Sequence, residues 1–301
     1  MRIPVLTGPT AVGKTAVAVR LAETLGLEVV SADSRQVYCW LDIGTDKPSV
    51  ELRRRAKFHM LDKVQPDRTY SAADFARDAL AVIRRRTEEG QRLMVVGGSG
   101  MYIRALFEPF FEAPKPDPEL RARLEMQPSA ELYRWLGEVD PERAGELHPN
   151  DRQRVIRALE IRQQTGRTMT ELVRQSSGRH EFEPAYIVLA MDRDRLYRHA
   201  DERFDQMMRR GLLEEVRHLR ELGFGQQSYV ANAYGYAELL DYLDGKLDLD
   251  RAVELAKAKT RAYIRRQLTW CRALPGARWI RFTDEEETTR LVHPMVAAVF
   301  S

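Results

Sequence analysis

The feature that most constrains this chain is an eight-residue loop near its start, GPTAVGKT, which runs from Gly8 to Thr15. The loop matches the pattern G-x-x-x-x-G-K-[ST], with a strand-like segment before it and a helix-like segment after it. Gly8 and Gly13 let the backbone curl so that its N–H groups face an anion at the helix N-terminus. Lys14 adds a positive charge, and the Thr15 hydroxyl is placed to ligate Mg²⁺. The loop predicts a phosphate site and leaves the reaction open.

The segments around the loop alternate between strand and helix patterns. Four segments read as strands: RIPVLTG, LEVVSADS, QRLMVVGGSG and AYIVLAMDRD. Three read as helices: KTAVAVRLAETLG, closed by Gly26, YSAADFARDALAVIRRRTEEG, capped by Ser71, and MYIRALFE. This alternation is typical of a doubly wound parallel sheet. With the phosphate loop, it predicts an α/β protein, a P-loop NTPase-like doubly wound parallel sheet with an all-helical insertion domain.

The insertion domain is predicted from a change of pattern after the proline-rich segment EAPKPDP. From there to about Glu183 only helix signals occur, with candidate caps at Asp117, Ser129 and Asp140. We therefore expect a helical insertion at 114–185, between two parts of a core at 1–113 and 186–301.

Composition restricts the class of protein. Hydrophobic residues make up 44% of the 301 residues and charged residues 31%, which is typical of a globular protein. No run approaches the roughly 18 apolar residues of a membrane span, and the strand-like start predicts no signal peptide. Two cysteines, Cys39 and Cys271, are too few for a disulfide framework or a cysteine zinc site. We expect a cytoplasmic protein with no membrane partner. The net charge of +3 says little, but arginines occur in clusters that fit either solvated helix faces or nucleic-acid binding.

Two carboxylates are candidates for chemistry. Asp33 follows the second strand, so it emerges beside the phosphate loop, where it can accept a proton from a nucleophile or serve as a cap or turn residue. Asp192 follows the last predicted strand and is the candidate for the magnesium-directed Asp of a kinase or ATPase. The glycine turn VVGGSG reaches the same sheet edge, where Ser99 offers a hydroxyl and the glycines admit a close ligand.

Taken in order, several segments resemble the tRNA dimethylallyltransferase (tRNA isopentenyltransferase) family over nearly the whole chain. They are GPTAVGKT, SADSRQVYCWLDIGTDKPS, YSAADFARDA, VVGGSGMYIRAL, HPNDRQRVIRALEI and RRQLTW. The resemblance implies that the loop holds the diphosphate of dimethylallyl diphosphate rather than ATP, with Mg²⁺ on Thr15. The acceptor it implies is the exocyclic amine of the adenosine 3′-adjacent to the anticodon in tRNA. In this family that base flips into a channel and meets the prenyl carbon from the opposite end.

The resemblance also implies residue roles. Asp33 would take the proton from the adenine amine, while Thr10 and Arg203 would stabilise the departing diphosphate. The diphosphate-binding residues it implies are Gly8, Pro9, Thr10, Ala11, Val12, Gly13, Lys14 and Thr15. Those implied for tRNA are Asp33, Ser34, Arg35, Gln36, Ser99, Arg121, Gln153, Arg154, Arg157, Lys257, Arg261 and Arg265.

Within the tRNA set, Asp33 to Gln36 would touch the target base, and Ser99 stands where threonine is usual. Arg121 and residues 153–157 would hold the anticodon stem-loop, with Arg154 and Arg157 on one helix face. Val155, Ile156 and Leu159 would pack inward. Lys257, Arg261 and Arg265 recur every four residues and form either a phosphate-facing stripe or an ordinary solvated face.

The sequence departs from the family pattern at three places. Ala237 stands where a basic residue is usual, so a phosphate contact there is missing or supplied elsewhere. His199 and Ala200 stand where Arg-Ile is common, so one arginine of the family pattern is missing there, while Arg203 stays in register. No Cys/His zinc finger follows, as expected for the shorter bacterial form.

Three alternatives stay open. A nucleoside or nucleotide kinase is one, because IVLAMDRDRLYRHADERF resembles the strand and arginine-bearing helix of such enzymes. A prenyltransferase acting on free adenine nucleotides is another, and a non-catalytic RNA-binding module is the third. The DIGTDKP block and the basic insertion favour tRNA. The expected partners are tRNA and dimethylallyl diphosphate, with no obligate protein partner and a monomeric chain.

Overall fold

The chain forms two compact units in a computed structural model, which describes residues 1–108, 111, 113–175 and 181–301. The first unit combines Met1–Phe107 with Glu181–Ser301, and the second is Glu108–His180. The predicted boundaries at 113/114 and 185/186 therefore lie a few residues too late. A strand that starts at Glu183 explains the second difference, because a boundary at 186 would cut through it.

A parallel sheet forms the centre of the first unit, and its order is β3-β2-β4-β1-β5-β6. The strands are β1 (Arg2–Thr7), β2 (Leu27–Ser31), β3 (Phe58–His59), β4 (Arg92–Val96), β5 (Glu183–Ala190) and β6 (Arg278–Arg281). The four predicted strands are confirmed. The two edge strands were missed because β3 has only two residues and β6, RWIR, has no buried residue.

Helices cover both faces of this sheet. Those of the first unit are α1 (Lys14–Leu25), α2 (Val50–Arg55), α3 (Ala72–Glu88) and α4 (Gly100–Phe107) before the second unit. The second unit has α5 (Pro118–Glu125), α6 (Ser129–Val139), α7 (Pro141–Glu146), α8 (Arg152–Thr165) and α9 (Met169–Gln175). The first unit then continues with α10 (Arg193–Arg209), α11 (Leu212–Glu221), α12 (Tyr236–Leu243), α13 (Leu249–Arg272) and α14 (Glu285–Ala297). Over the described ranges, no helix combines the length and apolarity needed to cross a membrane.

Successive strand residues enter two different cores. In β4, Leu93 and Val95 pack into one hydrophobic cluster, while Met94 and Val96 pack into the other. Alternation of this kind buries both faces of the sheet. Because the strands pair in parallel, their carboxyl ends lie at one edge, where the phosphate loop and the turns after β2 and β4 meet.

The second unit has its own core and, within its described residues, is entirely helical. Leu120, Leu136 and Ile156 are among its buried residues. The predicted caps at Asp117 and Asp140 are confirmed, because their side chains accept backbone N–H groups at the starts of α5 and α7. The predicted Ser129 cap is wrong. Pro128 precedes the helix, and the Ser129 Oγ instead accepts a hydrogen bond from Arg152 at 2.8 Å.

Candidate active site

The phosphate loop adopts the curled backbone that its glycines predict. Gly8 has φ 139° and Gly13 has φ 95°, values that side chains rarely tolerate. A Cβ on Gly8 would also lie 2.4 Å from the carbonyl oxygen of Leu189 on β5. Lys14 folds back over the loop, and its Nζ donates to the carbonyl oxygens of Gly8 at 2.9 Å and Pro9 at 2.7 Å.

The charge of Lys14 is sensitive to pH in the physiological range. Burial lowers the pKa of its ammonium to about 8, with Arg203 adding to the effect and Asp33 opposing it. The lysine is therefore mostly charged at neutral pH and loses its proton on mild alkalinisation.

Arg203 of α10 reaches the phosphate loop. Its Nη2 donates to Thr10 Oγ1 at 2.6 Å, and its Nη1 donates to Asp46 Oδ2 at 3.1 Å. The fold thus brings together three side chains that are far apart in the sequence. The family resemblance implied this arginine at the diphosphate, and the structure places its guanidinium at the phosphate loop.

Asp33 serves as the predicted turn residue through one carboxylate oxygen, and its role as a base stays a prediction. Oδ1 accepts the backbone N–H groups of Arg35 at 2.8 Å and Gln36 at 3.3 Å, which stabilises the turn after β2. In the part of the chain that the structure describes, no residue donates a hydrogen bond to Oδ2. One oxygen therefore fixes the side chain, and the other remains available to a ligand.

Two cavities meet at these residues. The phosphate-loop cavity has a volume of about 410 Å³, and Lys14, Thr15 and Asp46 are among its lining residues. The second, which we call the aromatic cavity, has a volume of about 130 Å³ and is lined in part by Phe204 and Tyr263. Both cavities are lined by Thr10, Asp33, Thr45 and Arg203. Two ligands that enter from the two sides would meet beside Asp33.

Hydrogen bonds between turns support the walls of both cavities. Ser99 Oγ accepts the Ser34 N–H at 2.9 Å and donates to Ser34 Oγ at 3.2 Å. Gln36 Nε2 donates to the carbonyl oxygens of Thr45 and Asp46 at 3.1 and 3.2 Å. Ser34, Gln36 and Ser99 thus hold the site together, and Ser34 and Arg35 also line the aromatic cavity.

The phosphate-loop cavity offers the oxygen donors that Mg²⁺ prefers. The Thr15 hydroxyl and the Asp33 and Asp46 carboxylates line it. Among the described side chains and backbone groups, none hydrogen-bonds Thr15 Oγ1, so its lone pairs are open to a cation. These residues fit the predicted magnesium ion. No cluster of three or more His, Cys, Asp or Glu residues suited to a metal occurs in the described ranges, so substrate oxygens would have to complete the coordination.

Asp192 does not serve the site. Its exposed carboxylate caps α10 by accepting the N–H groups of Asp194 and Arg195 at 3.0 and 3.2 Å. It lines neither cavity. The interpretation of Asp192 as a magnesium-directed kinase residue is therefore wrong.

In the second unit, two predicted tRNA-binding arginines are engaged by a buried acid. Arg121 Nε lies 3.0 Å from Glu160 Oε1, and Arg157 Nη1 donates to Glu160 Oε2 at 3.2 Å. Glu160 has no solvent exposure. Gln153 and Arg154 are exposed, and Arg154 is paired with Asp151, the residue that precedes α8. The inward packing of the α8 residues is confirmed, because all three are buried: Val155, Ile156 and Leu159.

Two of the three basic residues in the predicted phosphate-facing stripe on α13 are paired with acids. Lys257 Nζ lies 2.6 Å from Asp205, and Arg261 Nη1 donates to both carboxylate oxygens of Asp201 at 2.7 Å. Arg265 is exposed. Sequence spacing could not show these partners, because both acids lie on α10. The tRNA role of the whole stripe stays a prediction.

Sequence reasoning missed three residues of the site. Asp46 holds Arg203, Tyr263 lines the aromatic cavity, and Gln267 bonds to the phosphate loop. Burial raises the pKa of Tyr263 to about 12, so its hydroxyl keeps its proton. The signal was present for two of them, since Asp46 and Gln267 lie inside the motifs DIGTDKP and RRQLTW.

Comparison with known proteins places this geometry in a family. The model of the IPP transferase family matches residues 36–274. The chain belongs to this family. It is 44% identical over 287 residues to tRNA dimethylallyltransferase 1 of Citrifermentans bemidjiense, covering 94% of this chain and 92% of that one.

Solved structures agree. A tRNA isopentenylpyrophosphate transferase from Bacillus halodurans superposes with a TM-score of 0.73 at 35% identity, covering 99% of this chain and 96% of the other. A eukaryotic dimethylallyltransferase acting on tRNA superposes with a TM-score of 0.83 at 27% identity, covering 99% and 79%. The fold class and the assignment as a tRNA dimethylallyltransferase, a prenyltransferase enzyme, are confirmed.

Proposed function

We propose that the protein transfers a dimethylallyl group from dimethylallyl diphosphate to the exocyclic amine of the adenosine 3′-adjacent to the anticodon in tRNA, releasing diphosphate. Family membership supports the reaction class. The observation that carries the residue assignment is the meeting of the two cavities at Thr10, Asp33 and Arg203.

The donor diphosphate occupies the phosphate-loop cavity. There Lys14 exchanges its contacts with the loop carbonyls for phosphate oxygens, and Arg203 with the Thr10 hydroxyl faces the oxygen that leaves. Mg²⁺ held at Thr15 would add positive charge to the diphosphate. These groups stabilise the negative charge that develops as the allylic C–O bond breaks.

The acceptor adenine enters from the aromatic cavity. Its amine nitrogen forms the new bond to the allylic carbon, while the electron pair of the C–O bond leaves with the diphosphate. The amine proton passes to Asp33, whose Oδ2 is open because Oδ1 holds the turn. An exocyclic adenine amine is a weak nucleophile, so its positioning against the donor carbon supplies much of the acceleration.

The anticodon stem-loop is held by exposed basic and polar residues. Gln153, Arg154 and Arg265 are exposed and suited to phosphate and sugar contacts. Arg121, Arg157, Lys257 and Arg261 are held by acids, so they would contact RNA phosphates by exchanging those partners.

A transfer assay without ATP tests this function. Purified protein is mixed with Mg²⁺, labelled dimethylallyl diphosphate and unmodified tRNA that carries adenosine 3′ of the anticodon. We expect label in tRNA at that adenosine, and none in a matched tRNA that carries guanosine there. Label in AMP or ADP but not in tRNA would show that the acceptor is a free nucleotide. Phosphate transfer from ATP to a nucleoside would show that the protein is a kinase.

A further inference from the structure

Gln267 is a buried amide to which the proposed mechanism gives no role. It lies on α13 and only 5% of it is exposed. Its Oε1 accepts the backbone N–H of Thr10 at 2.8 Å, and its Nε2 donates to the carbonyl oxygen of Gly98 at 3.0 Å. The amide oxygen and the amide N–H group of Gln267 thus form hydrogen bonds with two different loops.

One loop supports the leaving-group side of the proposed active site, and the other supports the side of the base, Asp33. Thr10 belongs to the phosphate loop after β1, and its hydroxyl meets Arg203 on the side of the leaving group. Gly98 belongs to the turn after β4, where the next residue, Ser99, accepts the backbone N–H of Ser34. Ser34 directly follows Asp33, so this turn supports the side of the base.

The packing around the amide leaves little room for adjustment. A Cβ on Gly98 would lie 2.3 Å from Gln267 Nε2 and 3.2 Å from the carbonyl oxygen of Gly8. The amide therefore sits directly against the turn, close to the start of the phosphate loop. Removing it would leave the Thr10 N–H and the Gly98 carbonyl without these partners in a buried place.

We propose that Gln267 is a positioning residue that fixes the distance between the leaving-group side and the base side of the active site. The proposal rests on the proposed function. Gln267 lines neither cavity, so it acts through Thr10 and Gly98 and touches no substrate. A misplacement of about 1 Å between reacting groups can slow a reaction about 100-fold.

The test uses Gln267→Met, which keeps the length of the side chain and removes both hydrogen bonds. Thr7→Val is the matched control, because the buried Thr7 Oγ1 donates to the carbonyl oxygen of Gly97 at 2.8 Å in the same turn and does not contact Thr10. Single-turnover transfer of label to tRNA is measured for each protein, with KM for each substrate and the melting temperature.

We expect Gln267→Met to lower the single-turnover rate about 100-fold with each KM within about threefold of wild type. Both variants should lower the melting temperature by similar amounts, but Thr7→Val should leave the single-turnover rate within about threefold of wild type. Equal rates for the two variants, or a raised KM with an unchanged rate, would overturn the proposal. Wild-type transfer tests the function itself, so its absence would count against that function rather than against Gln267 alone.

Gln267→Glu keeps the proposal testable if the Met variant does not fold. A carboxylate still accepts the Thr10 N–H but cannot donate to Gly98, whereas a protonated carboxyl can do both. The rate of this variant relative to wild type should therefore rise as the pH falls from 8 to 6. A ratio that stays near one across this range would contradict the positioning role.

Discussion

Two arginines, one in each unit, have nearly the same exposure and different surroundings. The side chain of Arg203 is 27% exposed and that of Arg157 is 24% exposed, and each is paired with an acid. The acids differ, because Asp46 is 41% exposed while Glu160 has no exposure. If a phosphate replaces Asp46 as the partner of Arg203, the Asp46 carboxylate can be hydrated. If Arg157 is removed, the buried carboxylate of Glu160 loses one of its ion pairs and cannot be hydrated in exchange. The burial of the acid thus separates an arginine that can bind a ligand from one that stabilises the fold.

Of the two arginines, Arg203 should have the larger effect on catalysis. Arg203→Ala should lower kcat about 100- to 1,000-fold, as removal of one donor to a developing oxyanion typically does. The melting temperature should change little, because Asp46 can be hydrated. Stopped assays at saturating substrates measure kcat, and a loss of less than about tenfold would argue against a leaving-group role.

The matched substitution of Arg157 in the helical unit should lower the stability of the fold rather than kcat. Arg157→Ala leaves Glu160 with Arg121 as its remaining partner and should reduce the free energy of unfolding by about 2 kcal/mol. Denaturant unfolding measures this, and kcat should stay within about threefold of wild type. If kcat fell as it does for Arg203→Ala, the distinction drawn from the buried acid would not hold.

A pH profile tests whether the positive charge of Lys14 is needed for reaction with the donor. Because the pKa of Lys14 is lowered to about 8 in the free protein, the charged form predominates below that pH. The kcat/KM for the donor should fall about tenfold between pH 7 and pH 9. Lys14→Arg keeps its charge over this range, so its profile should lose the alkaline decrease. The same decrease in both proteins would assign it to another group.

The smallest effect concerns the exposed end of the α13 stripe. Arg265→Ala should weaken tRNA binding about threefold and reduce the slope of log K against log salt by about one. Filter binding at several salt concentrations measures both. Arg261→Ala breaks the ion pair with Asp201, so it should lower the melting temperature more than Arg265→Ala does. An unchanged salt slope for Arg265→Ala would remove this residue from the tRNA surface.

Much of the fold and part of the site could be predicted because the signals are local. The phosphate loop needs glycines at fixed positions, and the buried strands β1, β2, β4 and β5 need apolar runs. The edge strand β6 has neither signal, since Arg278 and Arg281 bracket its two apolar residues and all are at least partly exposed. Asp33 could be placed at the sheet edge from its position after β2.

Partners across long sequence distances could not be predicted. Lys257 and Arg261 match a phosphate-binding spacing, but acids one helical turn apart on α10 occupy them. Likewise, helix spacing indicates the pair of Arg157 with Glu160 within α8, but it does not indicate that Arg121 of α5 joins them or that the carboxylate is buried. The pairings between helices follow from how helices pack, which periodicity does not encode.

The most direct test of the account concerns the open oxygen of Asp33. Asp33→Asn keeps Oδ1 to accept the two N–H groups of the turn and removes the capacity to take a proton. We predict that single-turnover transfer of labelled dimethylallyl to tRNA falls about 1,000-fold, while the affinity for inorganic diphosphate with Mg²⁺ stays within about threefold. Near-normal transfer by Asp33→Asn would contradict the claim that Asp33 is the base where the two cavities meet.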